Sequence, residues 1–141
     1  MKIGIVGLGF VGLSLTSVLA SKGYDVIGID IDKEKREKIS NGISPFFEPE
    51  LEKLLKNGLK KKLKITGDFL LIKNCDFVFV TVGTPQNTNG SIDLSIIKKA
   101  ISKIGESLEK NKKKPTILVK STVIPGTMKK DILPILEKKS K

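Results

Sequence analysis

The chain is predicted to fold as an α/β doubly wound parallel sheet with helices on both faces, and three observations predict it. Strand-length apolar runs alternate with helix-length amphipathic ones, the pattern of βαβ units. Most of those strand runs are continuous Ile, Val, Leu and Phe without polar alternation, as expected where helices cover both faces. A glycine-rich turn, Gly7-Leu8-Gly9-Phe10-Val11-Gly12, joins the first run to the first helix.

Taken in order, the strand candidates are Lys2–Val6, Asp25–Asp30, Leu63–Thr66, Phe77–Val82 and Thr116–Lys120. The first helix opens near Phe10 and sets Val11, Leu15, Val18 and Leu19 on one stripe, with Gly23 placed for a left-handed C-terminal cap. Lys33–Ser40 is almost wholly charged, with Ile39 its only large apolar residue, and reads as a short surface helix closed by Asn41-Gly42. Asp32 is positioned to cap it. Glu50–Asn57 carries leucines at 51, 54 and 55, a third amphipathic helix. Ile96, Ile97, Ala100, Ile101, Ile104 and Leu108 recur at helical spacing after Asp93, the expected N-cap. Met128–Leu136 reads as a last helix weakened or kinked by Pro134. Right-handed crossovers with one reversal give the strand order 3-2-1-4-5.

Composition narrows the function classes. At 141 residues the chain fits a single domain, 1–141. Net charge is +11, yet Arg36 is the only arginine among 26 basic residues. Bidentate grip on phosphates and bases is arginine's chemistry, so a lysine surplus with 5% aromatics reads as a solvated surface rather than a nucleic-acid site. No apolar run approaches the roughly 18 residues of a membrane span, and the opening MKIGIVGLGF lacks the parts of a signal peptide. One cysteine, Cys75, fits a reducing compartment, and the cytoplasm is expected. No metal site is expected.

The chemistry lies in the glycine turn. In a G-x-G-x-x-G that follows a strand and opens a helix, each glycine has its own role. Gly7 makes the tight turn, Gly9 allows close backbone approach to a pyrophosphate, and Gly12 allows close helix packing. The helix amides offer donors and a positive dipole end to phosphates. Asp30 closes the second strand 21 residues after Gly9, where a carboxylate accepts from ribose hydroxyls and repels a 2′-phosphate. That is the Rossmann fingerprint with a preference for NAD over NADP. Val82–Gln86 and Ser121–Thr127 follow the fourth and fifth strands at their carboxyl ends, where ligands sit in open α/β sheets. From position alone they read equally as cofactor contacts or as ordinary turn chemistry. Ser44–Glu50 is too proline-rich for helix and oddly aromatic for a solvent loop.

GLGFVGL at 7–13, GIDID at 28–32, FFEPEL at 46–51, VGTP at 82–85, GSIDLS at 90–95 and KSTVIPGT at 120–127 together resemble the N-terminal domain of the UDP-glucose/GDP-mannose dehydrogenase family, UDP-glucose 6-dehydrogenases in particular. The resemblance runs along the whole chain. It implies that Val11, beside Phe10, gives an amide to the pyrophosphate, that Asp30 and Lys35 hold the adenosine ribose, and that Thr84 and Thr122 line the nicotinamide side. Thr122 would also help orient the water used in catalysis, and Glu48 would help shape the cofactor loop. Such enzymes oxidise a sugar C6 alcohol to the acid in two NAD-dependent steps, through an enzyme-bound thiohemiacetal and thioester.

The family's nucleophilic cysteine, lysine, asparagine and glutamate have no counterpart in this chain. Cys75, at the start of the fourth strand and opposite the crevice, reads as a small, partly buried structural residue. The resemblance therefore implies the front portion of a longer dehydrogenase, inactive alone, whose sugar-nucleotide pocket and dimer contacts lie elsewhere. The fifth strand is expected at a sheet edge. Two other readings stay open: another dehydrogenase of the 6-phosphogluconate or 3-hydroxyacid type, and a non-catalytic dinucleotide-binding module.

Overall fold

The computed structural model describes residues 1–141. Chain order is β1 (Lys2–Val6), α1 (Phe10–Ser21), β2 (Asp25–Ile29), α2 (Lys33–Ser40), α3 (Leu51–Leu59), β3 (Leu63–Thr66), β4 (Phe77–Val80), α4 (Ser95–Ser107), β5 (Thr116–Val119) and α5 (Leu133–Lys139). All strand pairs are parallel, in the order β3-β2-β1-β4-β5, with Ile3 opposite both Val26 and Phe77. The expected order and the edge position of β5 are both found.

Alternate residues of each strand feed two cores. Ile3 and Ile5 of β1 join Leu8, Leu13, Leu51 and Leu55 under α1 and α3. Ile27, Ile29, Val78 and Val80 join Ile97, Ile101 and Ile104 under α4 on the opposite face. Ile39 is the one buried residue of α2 and anchors that charged helix to the first core. Asp32 caps it by accepting from the Lys35 amide at 3.0 Å. At Gly23, φ is +93°, and the amides of Gly23 and Tyr24 return to the Ala20 and Leu19 carbonyls, closing α1 as expected.

Several expectations need correction. The α1 stripe is rotated: Val11 and Val18 are exposed, Leu15 and Leu19 half-buried, and the inward face is Gly12, Leu13, Thr16, Ser17 and Ala20. Small residues face inward because α1 passes close to its neighbours; a Cβ on Gly58 of α3 would lie 2.7 Å from that of Ala20. Strands β2, β4 and β5 stop short of Asp30, Val82 and Lys120. Single ladder bonds continue beyond them, Thr81 to Val6 and Lys120 to Val80. Helix α4 starts at Ser95, so Asp93 lies outside the cap position and accepts from the Ser95 amide and hydroxyl instead. Helix α3 is shifted to Leu51–Leu59, preceded by Glu50 at φ 63°.

An unforeseen 3₁₀ turn spans Phe69–Asn74, capped by Asp68 accepting from the Leu70 amide. The tail begins as a π-helical turn, Met128–Ile132, that runs directly into α5, and Pro134, the second residue of α5, withdraws an amide at that junction.

Cys75 is wholly rather than partly buried, just before β4, and burial pushes its thiol up to about 11. The folded value lies above the ordinary 9.0, so this stabilisation is whole below pH 9.0 and lost as pH rises through about 11. At neutral pH a water-soluble thiol reagent is expected to label Cys75 only as fast as the protein unfolds. Labelling followed against denaturant checks it, and rapid labelling of native protein would count against the burial.

Candidate functional site

The crevice forms at the carboxyl ends of β1, β2 and β4. β1 delivers Gly7, whose amide donates to the Ile29 carbonyl at 2.8 Å. Its φ is +95°, and a Cβ there would lie 2.9 Å from the Val82 backbone nitrogen. Gly12 is tighter still, since a Cβ would meet the Gly7 carbonyl oxygen at 1.8 Å and the Thr81 hydroxyl at 2.6 Å. These two glycines are demanded by the fold itself.

Gly9 differs. Its φ is −78°, and a Cβ there would meet nothing within 4 Å. The chain gives no internal reason for glycine at this position. What glycine does is leave space open before the start of α1, where the amides of Phe10, Val11 and Gly12 have no acceptor within the protein. Unpaired amides at a helix N-terminus carry the positive end of the helix dipole.

Asp30 lies at the floor, 7% exposed. Its Oδ2 accepts from the Leu8 amide at 2.8 Å and from Lys35 Nζ at 3.1 Å, and its Oδ1 from the Asp32 amide at 3.0 Å. Burial by itself raises the carboxyl, but the Asp32 and Leu8 amides and the Lys35 ammonium outweigh it and hold the group below its ordinary value. Asp30 is therefore a carboxylate at neutral pH. A carboxylate oxygen can accept two bonds, so Oδ1 keeps one free position.

A cleft of about 610 Å³ runs from Gly7, Gly9 and Asp30 towards α4. Its far wall was not foreseen. Ile96, Lys99 and Lys103 of α4 line it with Phe69 of the 3₁₀ turn, and Lys103 Nζ lies 5.3 Å from the Phe69 ring centre. Lys99 and Lys103 are four apart on one helix, a spacing the sequence displays. Sequence reasoning also missed Thr81, whose hydroxyl donates to the Gly7 carbonyl at 2.7 Å and pins the turn to β4.

Thr84 and Thr122 are brought together beside the cleft but outside its lining, with Thr84 Oγ1 donating to the Thr122 carbonyl at 2.9 Å. Ser121 Oγ reaches the Val82 carbonyl at 2.6 Å, so the loops after β4 and β5 are laced together. The aromatic segment also finds a place. Phe46 packs on Phe10 with ring centres 4.1 Å apart, beside the start of α1. No group of three or more His, Cys, Asp or Glu side chains is arranged to hold a metal, and no helix is long and apolar enough to cross a membrane.

Residues 1–141 match the NAD-binding domain of the UDP-glucose/GDP-mannose dehydrogenase family. The chain belongs to that family. It is 43% identical over 139 residues to a GDP-mannose 6-dehydrogenase of Pseudomonas syringae pv. tomato, covering 97% of this chain and 32% of the relative. A UDP-glucose 6-dehydrogenase of Haloferax volcanii is 34% identical, over 99% of this chain and 33% of the relative. Among solved structures, a ternary complex of GDP-mannose dehydrogenase from Pseudomonas aeruginosa superposes with a TM-score of 0.96 at 38% identity, covering 99% of this chain and 33% of that one. The chain thus spans about a third of the length of the relatives it matches. Its cofactor is NAD, and the chain is an NAD-binding domain of the UDP-glucose/GDP-mannose dehydrogenase family.

Three mutational outcomes follow from this geometry. Gly12→Ala is expected to destabilise by about 1–3 kcal/mol, because the clash is with backbone, whereas Gly9→Ala should cost under about 1 kcal/mol; equilibrium denaturation checks both. For Asp30 the folded carboxyl lies below 3.8, so its stabilisation is whole above that pH and lost as pH falls through the lower folded value. The stability gap between wild type and Asp30→Asn should be about 1–3 kcal/mol at neutral pH and shrink well below pH 3.8. A gap that stays constant into acid would contradict the assignment.

Proposed function

We propose that this NAD-binding domain is the cofactor half of a nucleotide-sugar 6-dehydrogenase. The observation that carries the reading is Gly9: glycine where the fold tolerates a side chain, opening space before three unpaired amides and beside an ionised Asp30. That donor set suits a diphosphate flanked by a ribose. On this reading Gly7 and Gly12 shape the turn, and Gly9, Phe10 and Val11 present backbone to the pyrophosphate. The free position on Asp30 Oδ1 accepts from an adenosine-ribose hydroxyl while Lys35 steadies the same carboxylate. Thr84 and Thr122 serve the nicotinamide side, with Thr122 also orienting the catalytic water.

NAD supplies the hydride acceptor for oxidation of the sugar's C6 alcohol. The nucleophile and proton carriers that the family's two-step oxidation needs belong to the portion of the relatives beyond this match. The sugar nucleotide is UDP-glucose or a near relation. GDP-mannose has specific support, because GDP-mannose 6-dehydrogenases match at up to 43% identity and the Haloferax volcanii UDP-glucose enzyme at 34%.

Calorimetric titration of the 141-residue chain is expected to show saturable NAD binding and much weaker NADPH binding. Asp30→Asn should weaken NAD by about 1.5–3 kcal/mol, the loss of a charge-assisted hydrogen bond. Unchanged affinity in that variant would sink the ribose assignment. Grafting residues 1–141 in place of the matching third of the Pseudomonas syringae enzyme should retain NAD-dependent oxidation of GDP-mannose. A folded graft that binds the sugar nucleotide but not NAD would overturn the reading.

A further inference from the structure

Arg36 is the only arginine in a chain with 26 basic residues. Whatever biases the composition towards lysine spared this position, and the structure gives a physical reason. Arg36 Nη1 donates to the backbone carbonyl of Asp30 at 2.9 Å. The same guanidinium lies flat over Gly67, just past β3: a Cβ there would sit 3.0, 3.1 and 3.3 Å from Cζ, Nη1 and Nη2. Near-equal approach to all three atoms is what a planar group laid over a missing side chain produces. An ammonium has neither the planar face for that slot nor the fork that lets one side chain fill it and reach the carbonyl together, so lysine there would give up the carbonyl bond.

The neighbouring Lys35 holds the carboxylate of the same Asp30. The Asp30 amide in turn donates to Thr66 at the end of β3. Consecutive cations of α2 therefore grip one residue at two points, Lys35 at the group that binds and Arg36 at the backbone that aims it. We propose that Arg36 is a positioning residue for ribose recognition, with Gly67 keeping its slot open. The consequence for NAD rests on the reading of Asp30 given above.

Two measurements on Arg36→Lys test this, with Gly67→Ala as a second variant that leaves the arginine present but displaces it. Amide hydrogen exchange reports the aim of Asp30 directly through the Leu8 and Asp32 amides that its carboxylate accepts. Both variants should accelerate exchange at those two amides several-fold while leaving the Lys120 amide, bonded between β5 and β4, unchanged. Calorimetry should show NAD affinity reduced about five-fold, the worth of one hydrogen bond, with no such loss when Arg36→Lys is made in Asp30→Ala, where nothing remains to aim. Exchange unchanged at Leu8 and Asp32, or raised uniformly through the sheet, overturns the positioning role. The exchange arm needs no dinucleotide, so it decides the role of Arg36 even if the ribose assignment of Asp30 fails.

Discussion

Where α1 leaves β1, the Cα of Gly12 passes so close to the Gly7 carbonyl that no side chain fits between them. A helix that approaches a strand end this closely has little freedom left in its rotation, because turning it would drive a side chain into that carbonyl. The inward face of α1 is therefore fixed by backbone sterics rather than by the width of an apolar stripe, leaving Val11 and Val18 in solvent and Thr16 and Ser17 buried. Helix α3 follows, since Gly58 lets it settle against Ala20. The three unpaired amides at the head of α1 are a further consequence of that pass. The turn that precedes them is pinned by Thr81, whose hydroxyl donates to the Gly7 carbonyl.

Asp30 is the electrostatic counterpart of that steric constraint. Burying a carboxylate is costly, and the cost is offset only where its oxygens are matched by donors. Here the donors come from three places: the glycine turn through Leu8, the cap of α2 through Asp32, and α2 itself through Lys35. One side chain thus ties the end of β2 to the turn after β1 and to the next helix. Loss of its charge would loosen the floor of the crevice and, on the proposed reading, remove an acceptor for a ribose.

Much of this was legible in the sequence because it rests on local rules. The strand order follows from handed crossovers, and the roles of Gly7 and Gly12 follow from the spacing of three glycines between a strand and a helix. What the sequence concealed was geometry decided at a distance. α1 is apolar nearly all round, so periodicity could not choose its buried face; a contact with Gly7 chose it. The expected ends of β2 and β4 run past the paired residues, and only the ladder, which closes with single bonds from Asp30 to Thr66 and Thr81 to Val6, decides where the strands stop. Phe69–Asn74 is too short to display a period. The α4 wall of the cleft was readable as a helix, yet nothing local says that Lys99 and Lys103 face the glycine turn rather than water.

The net charge of +11 gives a final distinction between the surface and the site. Such a field draws an anionic dinucleotide towards the protein whatever its number of phosphates. It cannot by itself distinguish NAD from its phosphorylated form, and a surplus of lysine would favour the latter. The local arrangement opposes the global one. Of the three lysines lining the cleft, Lys35 is paired with Asp30, Lys103 lies over the Phe69 ring, and Lys99 stands on the α4 wall away from the floor. At the floor lies a buried carboxylate held ionised by backbone amides and Lys35, which salt screens far less than the exposed lysines around it. On the proposed reading of Asp30, selectivity at the ribose is set at short range, against the sign of the whole molecule.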